Sequence, residues 1–154
     1  MNSRIKLFLF HILIPFLIGG LLYISFRSKS IRLFSWCETI GLSNYISIIR
    51  SIINPYKESI PNWVYYSLPD GLWMYSFTSS YMMLWQKDIY YGKYWLSVPF
   101  VFGWGIELSQ GLGIIQGTFD VIDLTVYIIA VSFSVLFFTI QNNKYEKHQI
   151  NVAI

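Results

Sequence analysis

The strongest constraint on this chain is a run of twenty residues, Leu7–Phe26, without a single Asp, Glu, Lys or Arg. At about 1.5 Å per residue, some 20 helical residues cross a hydrocarbon core of roughly 30 Å. Arg4 and Lys6 precede the run, and Arg27, Lys29 and Arg32 follow it. A cleaved leader has a shorter apolar core and then a small-residue cleavage site. Here Tyr23-Ile24-Ser25-Phe26-Arg27 follows instead. The run reads as a retained transmembrane helix, in which Pro15 and Gly19-Gly20 allow a bend or a close helix contact.

The rest of the chain agrees. Apolar residues make up 55% of its 154 positions and aromatics 19%, while Asp, Glu, Lys and Arg make up only 12%. A soluble domain carries about 25% charged residues, and a chain this short has too much surface to cover with half that number. Ordinary soluble, disordered and disulfide-scaffold classes are excluded. The net charge of +3 is dispersed, with no Lys/Arg block, so nucleic acid is not an expected partner. Cys37 is alone and forms no intrachain disulfide.

Three further apolar runs predict spans over about 63–85, 94–112 and 120–140. The expectation is an all-α integral membrane protein: one domain over 1–140 with four transmembrane helices, then a polar, frayed tail over 141–154. Between the first two spans, Ile46, Ile49 and Ile53 recur at helical spacing, and Pro55 and Pro61 end the pattern. This predicts an interfacial amphipathic helix, its apolar side in lipid or against the bundle. Residues 86–93 form a polar turn. Four spans put both termini on one side with Arg4, Lys6, Lys87, Lys93, Lys144 and Lys147. Arg27, Lys29, Arg32, Arg50 and Lys57 lie opposite, and the six-to-five split places the termini in the cytoplasm.

Four of the eight acidic residues lie inside or at the mouth of these spans: Asp70, Glu107, Asp120 and Asp123. A carboxylate facing lipid costs about 2.5–3.5 kcal/mol at a helix centre, so all four should face the bundle, water or a partner. Alternating helix directions bring them to the membrane side opposite the termini. Glu107 and Gln110 are three apart and share a helix face, as do Asp120 and Asp123. The short connection between the two pairs makes them antiparallel neighbours. Arg27 reaches the same side as a cationic partner. Asp120 also suits an N-cap, and Gln110 an interhelical hydrogen bond. Glu107 and Asp123 lie deeper in apolar sequence, which favours a functional role. His11 lies far from the carboxylates and reads as a bundle histidine. No His/Cys cluster supports a metal site such as zinc, and no phosphate-binding glycine loop is present.

The ordered pair Gly105-Ile106-Glu107-Leu108-Ser109-Gln110 and Gly117-Thr118-Phe119-Asp120-Val121-Ile122-Asp123-Leu124 resembles the late signature of the VanZ-like membrane proteins. Asp70 resembles that family's earlier aspartate. The chain departs from the pattern at Gly117 or Thr118 (Arg in the family), at Tyr127 and Ala130 (Asn and Gly), and at Gly71 and Trp73 (Lys and His). The resemblance covers roughly 68–130. It implies a multi-pass protein of the bacterial cytoplasmic membrane, in a family some of whose members confer low-level glycopeptide (teicoplanin) resistance.

The expected function is a cell-envelope protein whose outward-facing acidic pocket engages a membrane lipid or lipid-linked glycan. Glu107 and Asp123 are the candidate catalytic pair. Gln110 orients a ligand hydroxyl, Arg27 meets a phosphate, and Asp70 and Asp120 complete the wall. Paired carboxylates serve acid–base chemistry or a divalent cation equally, so no cofactor and no reaction is designated. Two other readings stand beside this one. The first is a non-catalytic subunit or assembly factor bound to a membrane-protein partner. The second is a small proton- or cation-coupled transporter, which would need to form a homo-oligomer.

Overall fold

The computed structural model describes residues 3–29, 31–85, 94–95, 97–115 and 118–152, with side chains from residue 4 to residue 143. Every regular element among the described residues is helical. The first apolar run forms α1 (Ser3–Phe8), a π-helical turn (Leu9–Leu13) and α2 (Ile14–Phe26). The wide turn precedes Pro15, which has no N–H for the His11 carbonyl and whose ring crowds that carbonyl. Next come α3 (Arg32–Thr39) and α4 (Ser43–Ile53), joined at Gly41, whose φ of 77° suits glycine. A 3-10 turn (Asn54–Ser59) leads to α5 (Asn62–Tyr66). The helix restarts after Ser67 as α6 (Leu68–Leu84), with Pro69 in its first turn, where a missing N–H costs nothing. The last two elements are α7 (Ser97–Gly111) and α8 (Val121–Val152).

All four apolar runs are therefore helical where described, but they are not equivalent. Among the described residues, two stretches are long and apolar enough to cross a membrane, Arg4–Phe26 and Val121–Asn143. The two middle runs fall short of that standard: α6 has 17 residues, including the polar Asp70, Ser76, Thr78, Ser79 and Ser80, and α7 is described over Ser97–Gly111, where Glu107, Ser109 and Gln110 interrupt the apolar sequence. The polar turn expected at 86–93 lies outside the described residues. The expected frayed tail is instead a continuation of α8 to Val152; residues 141–152 contain no Gly or Pro to end it.

α6 organises the bundle. It runs antiparallel to the first helix, to which it donates from Ser76 Oγ to the Ile12 carbonyl at 3.0 Å and from Trp73 Nε1 to the Phe16 carbonyl at 3.2 Å. It runs parallel to α8 along a seam of small residues. Ser67, Gly71 and Ser79 lie at multiples of four on one face of this segment, and Ala130 and Ser134 answer them from α8. Ser79 Oγ and Ser134 Oγ are 2.9 Å apart, and both residues are fully buried. Small side chains let two backbones approach closely, so the polar residues that lower the hydropathy of α6 are the ones that seat it. α7 packs antiparallel to α8, with Gly103 against Met74 and Tyr127.

The segment between the first two apolar runs carries apolar residues on both faces of α4. Ile46 is buried, with Ile49 and Ile53 half-buried on the same face, as their spacing implies. Tyr45, Ile48 and Ile52 are exposed on the opposite face of α4.

Candidate functional site

This topology gathers the end of α2, the start of α6, the end of α7 and the start of α8 at one end of the bundle. Arg27 closes α2 in extended conformation. Its Nη2 donates to Asp70 Oδ2 at 3.1 Å and to the Tyr66 carbonyl at 3.0 Å, and its guanidinium lies over the rings of Tyr23 and Tyr66. Arg50 reaches back from α4: its Nε donates to the Ile24 carbonyl at 2.8 Å, and its Nη2 donates to the Arg27 carbonyl. The last carbonyls of a helix have no partner within it, so Arg50 caps α2 and fixes the backbone that carries Arg27.

Glu107 is 3% exposed. Its Oε2 accepts the Asp120 backbone N–H at 3.3 Å. Asp120 in turn accepts the Ile122 N–H on Oδ1 at 2.8 Å, the geometry of an N-cap on α8. Asp123 lies in the first turn of α8, where the helix dipole favours an anion. Its Oδ1 is buried without a hydrogen-bond partner. Ser67, 1% exposed, places its hydroxyl beside that carboxylate. Asp70, Glu107 and Asp123 are close enough to act electrostatically on one another and on Tyr127.

A cavity of about 800 Å³ opens between α2, α6, α7 and α8. Arg27, Asp70, Glu107, Gln110 and Tyr127 line its charged end. Phe16, Trp73, Phe77, Phe102 and Ile106 supply much of its apolar wall. The structure thus brings Arg27, Asp70, Glu107 and Gln110 to one cavity. It does not bring in Asp120, which caps α8, or Asp123, which acts on Glu107 from outside the lining. Among the described residues no three His, Cys, Asp or Glu side chains are grouped to hold one metal ion. His11 is elsewhere, its Nδ1 2.6 Å from the Tyr75 hydroxyl and its ring 4.0 Å from that of Phe137.

Sequence reasoning missed four participants. Ser67 and Trp73 stand three residues either side of Asp70, and Tyr127 stands four after Asp123. Helical spacing around each carboxylate was therefore the available signal. Arg50 had no such signal, because its contact spans 23 residues. Three of the departures from the VanZ-like pattern have visible roles: Gly71 admits Val126, Trp73 lines the cavity, and Tyr127 both lines it and packs on Met74. Gly117 lies outside the described residues. No family model, curated protein or solved structure matches the chain.

Proposed function

We propose that this is a VanZ-like, four-span protein of the bacterial cytoplasmic membrane that draws a membrane lipid or lipid-linked glycan into the cavity. The observation that carries this reading is a single cleft that joins an apolar wall to a charged end. An amphiphile matches that division. Its chain lies along Phe16, Trp73 and Phe77, and its headgroup meets Arg27, Asp70, Glu107 and Gln110. Exposed Phe10, Leu17, Leu21, Phe133 and Leu136 on the two long apolar helices support burial in lipid. In this arrangement α5 with α6, and α7, are the second and third spans. The termini are cytoplasmic and the charged end faces outward.

Glu107 is the carboxylate that touches the ligand, and Asp123 sets its electrostatic surroundings. Glu107 lines the cavity and accepts the Asp120 N–H on Oε2, which leaves acceptor capacity on its carboxylate for a ligand. Ile106 is 39% exposed and lines the cavity, so Ile106→Trp fills the cleft without disturbing the core. Mass spectrometry of lipid extracted from purified protein should find a retained lipid on the wild type and its loss from this variant, with unchanged melting. Equal lipid on both would count against uptake into the cleft.

A further inference from the structure

The charged end of the cavity is not built for an anion. Arg27 is the basic residue among the described residues of the lining; its Nη2 is bonded to Asp70 and to the Tyr66 carbonyl, and its Nε is buried without a partner. Glu107 lies among carboxylates, with Asp123 and Asp120 close enough to repel it. Behind it, the Asp123 carboxylate lies beside the Ser67 hydroxyl, which is 1% exposed. A phosphate or diphosphate entering here would meet one guanidinium against two lining carboxylates, Asp70 and Glu107, with the Asp123 carboxylate behind them.

An ammonium fits only half of the lining. It donates but does not accept, whereas Arg27 and the Gln110 amide also present donors. A hydroxyl both donates and accepts, so a polyol satisfies Glu107 and Asp70 as acceptors and Arg27 and Gln110 as donors. Tyr23 and Trp73 add aromatic surface next to these groups, their ring centroids 5.1 Å apart. Part of the Tyr23 face carries the Arg27 guanidinium, 5.3 Å from its centroid, which disfavours a second cation there.

We infer that the headgroup taken at this site is a neutral sugar, carried on a glycosyl lipid without a phosphate next to the sugar. The inference rests on the lipid-uptake reading and narrows its ligand.

The test uses the full chain in nanodiscs containing equal amounts of three lipids with the same dioleoyl tails. These are diglucosyl-dioleoylglycerol, dioleoylphosphatidylglycerol and 1,2-dioleoyl-3-aminopropane, whose primary ammonium donates hydrogen bonds. Lipid retained by the purified protein is measured by mass spectrometry. Hydrogen bonds to charged groups are strong enough that the glucosyl lipid should be enriched about tenfold over either charged lipid. Gln110→Ala, which leaves every buried charge in place, should reduce that preference. Preference for either charged lipid, or equal retention of all three, overturns the neutral-sugar assignment and leaves lipid uptake standing. Retention of none of the three overturns both.

Discussion

Leucine in place of Gly71 should force α6 away from α8 and cost the protein its folded, monodisperse form in detergent. A Cβ built at Gly71 already overlaps Val126 Cγ1, and the Val126 Cβ lies 3.5 Å from it. Valine in a helix has essentially one χ1 rotamer, so Val126 cannot swing clear. The backbones must separate instead, and the Ser79–Ser134 contact two turns along lies on the same seam. Overpacking a filled site costs about 1–3 kcal/mol, occasionally more. Gly71→Ala should fall in that range and Gly71→Leu above it. α6 also holds the first helix through Ser76 and Trp73, so the damage should reach the cavity wall. Gly20→Ala is the control: nothing lies within 4 Å of its added Cβ. Alanine is the better helix former by about 0.8–1.0 kcal/mol, so that variant should melt no lower than wild type. Thermal melting of the three purified variants decides this, and an unshifted Gly71→Leu would mean that the α6–α8 seam is misplaced.

The second large effect is on the ligand rather than the fold. Glu107→Gln combined with Asp123→Asn should leave the protein folded and inserted but lower lipid retention by about tenfold, the difference between a charge-assisted and a neutral hydrogen bond. Glutamine keeps a carbonyl for the Asp120 N–H, so the link between α7 and the start of α8 survives. Asparagine keeps the shape of Asp123, and removing both charges relieves repulsion among Asp70, Glu107 and Asp123. Helix-to-helix hydrogen bonds in membranes average about 0.6 kcal/mol, so a purely structural role would tolerate the pair of substitutions. Melting and monodispersity are read with lipid content. A folded variant with wild-type lipid would make the carboxylates structural and favour a non-catalytic subunit. A variant that no longer folds would make them part of the bundle's internal pairing.

The helices and the end at which the acids gather were legible in the sequence because both follow from local rules. Four apolar runs locate the helices, and spacings of three place Glu107 with Gln110 and Asp120 with Asp123. The identity of the cavity lining was not legible. Whether Asp123 or Asp70 faces the cavity depends on the rotation of α6 and α8, and that is set by the Ser67, Gly71 and Ser79 seam rather than by either carboxylate. Hydropathy undervalues α6 for the same reason, since its serines are buried against other helices. The reach of Arg50 to the Arg27 carbonyl is a tertiary contact that no periodicity encodes. The extension of α8 to Val152 follows from an absence of breakers that a polar composition obscures.

Fluorescence quenching by a brominated lipid tests the central claim most directly, because Trp73 lines the apolar wall of the cavity. The variant keeps Trp73 and carries Phe at the other five of the 6 tryptophans. Lipid brominated at mid-chain is then titrated into nanodiscs of unbrominated lipid. If the cleft takes up a lipid, quenching should saturate at a low mole fraction of brominated lipid, and Glu107→Gln should shift saturation to higher fractions. Quenching that rises in simple proportion to mole fraction, unchanged by Glu107→Gln, would show Trp73 facing only bulk lipid and would contradict the account.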